Sequence, residues 1–255
     1  MKAKTALARK PPGGMPKRKP AARDDKPAAR DDKPVPRDDR GGARRGDTTR
    51  LSILNAAERC FGEGGFDGVS LRTITEVAGV DLALANYHFG TKDNLLREVI
   101  ARRARIVHDE RIGALEGARH AAGARSPSVE AIVTAFLEPL LRRLINGEEG
   151  WHHYANLVSQ LDILPKFTGL AGDVLDPTAL HFINALRLVL PKAPPPAIYW
   201  GYMFLLGSMV QVMSATGRIE RLSHGLCKSE DIESALRELV PFVSGGLRAL
   251  QTAPR

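Results

Sequence analysis

The sequence predicts an all-α protein. Three observations carry that expectation. From Thr48 onward apolar residues recur with the period of a helix, roughly 3.6 residues. Glycines and prolines break this pattern at helix-length intervals. No segment alternates apolar with polar residues as a half-buried strand would.

The first helix is expected to start near Asp47 or Thr48, either of which can cap it, and to bury Leu51, Leu54, Ala57, Cys60 and Phe61. Gly62, Gly64 and Gly65 are expected to end it. Ser70 can cap a second helix with Leu71, Ile74, Val77 and Ala78 inward, stopped by Gly79. A third, very short helix spans about Leu82 to His88 and breaks at Gly90. Thr91 caps a fourth, with Asp93 in the first turn, where the helix dipole favours an acid, running to about Ala121. Ser126-Pro127 reads as a cap followed by proline at the first helical position, opening a helix over about 127 to 146. Further helices are expected over about 149 to 163, 171 to 190, 195 to 216 and 229 to 251, for roughly nine in all.

Ahead of this body lies a segment of different composition. Residues 19 to 39 read KPAARDD, KPAARDD, KPVPRDD, a seven-residue repeat with proline in every unit and no apolar pair to bury. Residues 1 to 46 are expected to be a disordered basic tail. Its two readings are an inert solubilising extension and a non-specific phosphate-binding arm. Of the formal charge of +8, the tail carries +9, so the body is close to neutral. The basic balance is therefore weak evidence for nucleic acid.

Cys60 and Cys227 show no CxxC spacing and are expected to be buried free thiols, which fits a reducing cytoplasm. No apolar run reaches the roughly 18 residues of a membrane span, and the N-terminus lacks the apolar stretch of a secretory signal. His152 and His153 are adjacent and point about 100° apart on a helix, so they cannot both face one metal ion. No spaced ligand set, nucleophile-base order or phosphate loop stands out. The expectation is no enzyme activity, no metal and no cofactor.

A helix of about eight residues, a turn at Gly79 and a second short helix have helix-turn-helix spacing. The second helix is then free to enter the major groove of DNA. Within residues 53 to 100 the pattern Ala56-Ala57, Phe61, Gly65-Phe66, Ser70, Ile74, Ala78-Gly79-Val80, Tyr87, Phe89-Gly90-Thr91-Lys92 and Leu95 runs in order. This stretch resembles the DNA-binding domain of TetR-family transcriptional regulators. The resemblance implies an Ω-shaped homodimer with a reading head at each tip, a double-stranded DNA operator and a helical body that binds a ligand. It also implies dimerisation through the last two helices, whose expected apolar faces include Leu205, Leu206, Met209, Leu236, Leu239, Val240, Phe242 and Leu247. The domain limits would be 1 to 46 for the tail, 47 to 95 for the reader and 96 to 251 for the ligand-binding and dimerisation body.

The reading helix departs from the family pattern, because no Arg or Lys lies between Val80 and Lys92. Asn86 can pair with adenine, and Leu82 and Ala83 can meet thymine methyls. By the resemblance, Tyr87, His88 and Lys92 stand where the family contacts phosphate. Ser70 and Arg72 open a helix whose free N–H groups favour an anion. Plain alternatives remain for Tyr87, which could pack into the core, and for His88, which could be a solvent histidine.

Residues 84 to 90, with looser likeness at 182 to 191, 201 to 217 and 236 to 250, resemble the PsrA-like, fatty-acid-responsive subgroup of the family. That likeness implies control of lipid or fatty-acid metabolism genes by an acyl chain or acyl-CoA. A drug-efflux regulator with a broad pocket is the rival within the class. A helical enzyme and a DNA-coating protein are rivals outside it. Candidate walls of a pocket for a small hydrophobic effector are Phe136, Trp151, Tyr154, Phe182, Met203 and Met209, each of which could equally be plain core.

Overall fold

A computed structural model describes residues 40 to 162 and 164 to 251. The seven-residue repeats and the rest of the tail up to residue 39 lie outside the described residues, whereas its last residues, 40 to 46, open the first helix, which corrects the expectation of disorder there. The fold is all-α, with no strand among the described residues. Its helices are α1 (Arg40–Gly68), α2 (Leu71–Ala78), α3 (Leu82–Phe89), α4 (Lys92–Ala122), α5 (Val129–Ile145), α6 (Trp151–Asp162), α7 (Thr168–Val189), α8 (Pro195–Met213), α9 (Arg218–Leu222) and α10 (Ile232–Ala249). A 3₁₀ turn, Pro165–Phe167, precedes α7.

Several boundaries differ from expectation, each for a local reason. Helix α1 starts at Arg40, so neither Asp47 nor Thr48 caps it. It also passes through Gly62 and Gly64, and bends only at Gly65, where φ is 68°. Gly62 serves close packing instead: a Cβ there would lie 2.6 Å from the His153 carbonyl oxygen of α6. Leu51 and Val77, expected inside, are exposed, whereas Ile53 and Thr75 are buried. Ser128, not Ser126, caps α5, accepting from the Ala131 N–H at 3.1 Å. Pro139, Pro177 and Pro241 lie inside α5, α7 and α10 and do not end them. The glycine-punctuated segment after α8 contains the short helix α9. Cys60 is half-buried and Cys227 exposed, which corrects the expectation that both are buried; both are free.

The buried apolar residues form two clusters. One lies beneath the first three helices and includes Ile53, Phe61, Ile74, Phe89, Leu95 and Val99, continued by Leu157, Leu161 and Phe167. The other fills the body between α4, α5, α6, α7, α8 and α10 and includes Phe136, Trp151, Phe182 and Leu205. Helix α4 contributes to both clusters, and its 31 residues extend about 46 Å. Helix α4 thus joins the two clusters.

Candidate nucleic-acid interface and effector cavity

The turn between α2 and α3 is set by Gly79. Its backbone is left-handed (φ 68°, ψ 34°), which glycine adopts without the Cβ penalty. The Gly79 and Val80 N–H groups close the end of α2 on the Glu76 and Thr75 carbonyls at 3.3 and 3.0 Å. Ser52 of α1 donates to the Ala78 carbonyl at 3.1 Å and holds the turn against the core. Asp81 then caps α3 by accepting from the Ala83 N–H at 2.7 Å.

Helix α3 buries Ala85 and Phe89, one turn apart. Leu82, Ala83, Asn86 and Tyr87 lie outside that buried pair, and all four are exposed. Tyr87 is 83% exposed, so the packing alternative for its ring does not hold. His88 is half-buried, with its ring edge-on to Tyr87 at 5.2 Å between centroids. Together these residues present an amide, aliphatic groups and a phenol on a helix narrow enough for a major groove.

The flanking residues divide. Arg72 is exposed and, among the described residues, paired with Glu76 alone, at 3.1 Å on the same helix. Such a surface pair is weak and is readily exchanged for a phosphate. The Ser70 hydroxyl caps α2, accepting from the Thr73 N–H at 3.0 Å. Lys92 is half-buried rather than free: its ammonium donates to the Val69 carbonyl at 2.6 Å and lies 4.2 Å from the centroid of the Phe66 ring. In the protein without DNA, Lys92 therefore ties the start of α4 to the segment ahead of α2. Lys92→Ala is expected to lower unfolding stability by about 1–3 kcal/mol. A denaturant titration showing no loss would return Lys92 to a purely external role.

In the body, a cavity of about 280 Å³ lies between α4, α5, α6, α7 and α8. Four of the six expected wall residues line it, namely Phe136, Tyr154, Met203 and Met209. Trp151 and Phe182 do not, which corrects that expectation. Trp151 is packed beneath the Arg103 and Arg143 guanidiniums, at 4.6 and 4.4 Å from its ring, and Phe182 packs edge-on to Phe136. Both are core.

The lining includes polar residues that sequence reasoning passed over: Arg111, Asp162, Asp176 and Thr178. Arg111 is only 8% exposed. Its Nε donates to the Phe136 carbonyl at 2.7 Å, and Nη2 approaches the Met209 sulfur at 3.3 Å. Burial lowers its pKa to about 10, which still leaves it charged at neutral pH. Burial likewise pushes Tyr202 up to about 12 and raises Tyr154 further, so both phenols keep their protons. A signal for Arg111 was present in the sequence. It is a charged residue on the stripe Ala104, Val107, Arg111, Leu115, which is otherwise apolar and faces inward. Among the described residues, no group of His, Cys, Asp and Glu could hold a metal ion, and no helix is long and apolar enough to cross a membrane.

Comparison with known proteins agrees with this arrangement. Residues 53–99 match the model of the bacterial regulatory proteins of the tetR family. Residues 134–246 match the tetracyclin repressor-like, C-terminal domain. A similar curated protein is the HTH-type transcriptional repressor AcnR of Corynebacterium glutamicum, 38% identical over 65 residues, which are 24% of this chain and 35% of AcnR. The chain thus spans about a third of the length of the curated relatives it matches first. Two solved structures share the fold. One is a tetR-family transcription regulator from Shewanella sp. PV-4, with a TM-score of 0.52 and 16% identity over 78% of this chain and 97% of that one. The other is the fatty acid degradation regulator FadR of Bacillus halodurans, with a TM-score of 0.52 and 14% identity over 78% of this chain and 96% of that one. At these identities they speak to the fold alone.

Proposed function

The chain belongs to the TetR family of bacterial transcriptional regulators, whose members are DNA-binding transcription factors and not enzymes, and on that premise we propose that it is an effector-released repressor acting in the cytoplasm. Its reading element is the exposed face of α3. The supporting observation is that Leu82, Ala83, Asn86 and Tyr87 are exposed while Ala85 and Phe89 lock α3 into the core. Asn86 is the amide among them and suits the adenine edge; the aliphatic residues suit thymine methyls. Arg72 and the N-terminus of α2 supply backbone contacts.

Two heads are placed by a homodimer. Of the residues first expected at its interface, Leu205, Met209, Leu236, Leu239 and Leu247 are buried within the protomer, Leu206 and Val240 are half-buried, and Phe242 is exposed. The exposed apolar stripe is instead Tyr199, Trp200, Met203 and Phe204 of α8, with Phe242 of α10 beside it. A shallow groove between Met203, Phe204, Gly207 and Phe242 completes that face. An apolar patch of this kind on a soluble domain fits a two-fold contact.

The effector acts through shared helices. Helix α4 contributes Ala104, Val107 and Arg111 to the cavity, and its first turns carry the reading head. Helix α8 turns Tyr202 and Met209 to the cavity and Trp200 and Phe204 to the dimer face. A ligand that prefers one arrangement of α4 and α8 biases the spacing of the heads by its differential affinity. At about 280 Å³ the cavity is small beside ligand pockets of roughly 300–1,000 Å³. That supports a small apolar effector over the broad site of a drug-efflux regulator. With the resemblance at residues 84 to 90, it favours control of lipid or fatty-acid metabolism genes.

The test is a titration of Asn86→Ala against the preferred operator and a scrambled duplex at several salt concentrations. The expected loss is about 1–3 kcal/mol on the operator and far less on scrambled DNA. Equal weakening on both duplexes would remove Asn86 from base reading.

A further inference from the structure

Arg111 is a charge without a counter-charge. No carboxylate among the described residues forms an ion pair with it. Two of its nitrogens are used, Nε on the Phe136 carbonyl and Nη2 on a thioether, which is a weak acceptor. Nη1 has no hydrogen-bond partner among the described residues. The guanidinium lies 3.9 Å from the centroid of the Phe136 ring, which softens the loss of water but does not neutralise the charge. Buried arginines are ordinarily paired, because an unpaired charge away from water is costly. The cavity that Arg111 lines offers a place from which a partner can come.

Other groups at the cavity define that partner. Tyr154 and Tyr202 line it, both are buried, and both stay protonated, so each can donate a hydrogen bond to an anion. The rest of the wall beside Arg111 is apolar: Val107, Phe136, Leu140 and Met209. Asp162 and Asp176 stand at the exposed end of the lining. Their charges repel a polyanionic group that would project through that end. The volume of about 280 Å³ holds on the order of ten heavy atoms, taking about 30 Å³ for each water-sized group.

We infer that the cavity is a carboxylate site in which Arg111, with Tyr154 and Tyr202, receives the acid end of a small free carboxylic acid whose apolar body fills the remainder. The orientation is acid end inward. An acyl-CoA is disfavoured, because its carboxyl is consumed in the thioester and its phosphates would face Asp162 and Asp176. This rests on the effector reading above and narrows it from a hydrophobic ligand to an anionic one.

The full chain is titrated by calorimetry with octanoate and 4-phenylbutyrate, with the matching alcohols 1-octanol and 4-phenylbutanol, and with octanoyl-CoA. At least one acid is expected to bind about 10–100-fold tighter than its alcohol, the range for a charge-assisted hydrogen bond, and tighter than octanoyl-CoA. Arg111→Met keeps the unbranched apolar stem of the side chain without the guanidinium and is expected to erase the preference for acid over alcohol. Its melting temperature without ligand should match or exceed that of the wild type, since an unpaired buried charge is removed. Tyr202→Phe keeps the ring and is expected to weaken the acid more than the alcohol, and it serves if Arg111→Met does not fold. The inference is overturned if neither acid binds, if alcohols or octanoyl-CoA bind as tightly as the acids, or if the folded variants keep the preference. If the acids bind as expected but leave an operator complex intact in a gel shift, the carboxylate site stands and the effector-released repressor falls.

Discussion

Glu58→Ala is expected to destabilise the protein by about 3–5 kcal/mol, the range for breaking a buried ion pair by removing one partner. Glu58 is 3% exposed on α1. It accepts from Arg102 at 2.7 Å and from both Nε and Nη2 of Arg103 at 2.9 Å. Arg103 also donates to the Glu149 carbonyl at 3.1 Å and lies over Trp151. One carboxylate thus joins α1, α4 and the entry to α6. Truncation leaves two half-buried guanidiniums without a counter-charge. Glu58→Gln keeps the shape and one acceptor, so it should lose less. Urea unfolding of the three proteins measures the series, and a loss below about 1 kcal/mol for alanine would show that the network relaxes into water.

Phe204→Glu is expected to yield monomers at micromolar concentration. Phe204 is 63% exposed on α8 and Phe242 of α10 is 74% exposed. At a two-fold contact every substitution occurs twice, so each copy brings a new carboxylate into an apolar interface. Operator affinity should fall by about 10²–10⁴-fold, because a single head loses the effective concentration that the second supplies. Light scattering reads the mass and a gel shift the affinity. A dimer that persists with full operator affinity would place the interface elsewhere.

The reading head was legible in the sequence because its signals are local. Ser70, Gly79 and Thr91 each act on backbone groups within a few residues, and all three do in the structure what their positions suggest. Gly62 was misread because a helix stop and a close helix crossing look the same in one dimension. Only the approach of His153 separates them. Trp151 and Phe182 were misplaced because size and apolarity qualify a residue for a cavity wall and for solid core alike. Arg111 is the opposite case. Its apolar stripe was visible, but its lack of a partner depends on which side chains meet from five helices. The proposed dimer face meets the same limit: the outward turn of Trp200 and Phe204 rather than Leu205 and Met209 is decided by packing against α5 and α7.

The most direct test of the account is selection of duplexes from random-sequence DNA by the full chain, carried out with the wild type and with Asn86→Ala. The account predicts that the wild type enriches sites with two half-sites related by a dyad, containing adenine at matching positions in each half. It predicts that Asn86→Ala keeps the dyad spacing but loses the preference at those positions. Recovery of unselected sequence by the wild type, or of the same adenines by Asn86→Ala, would contradict the claim that the exposed face of α3 reads the operator.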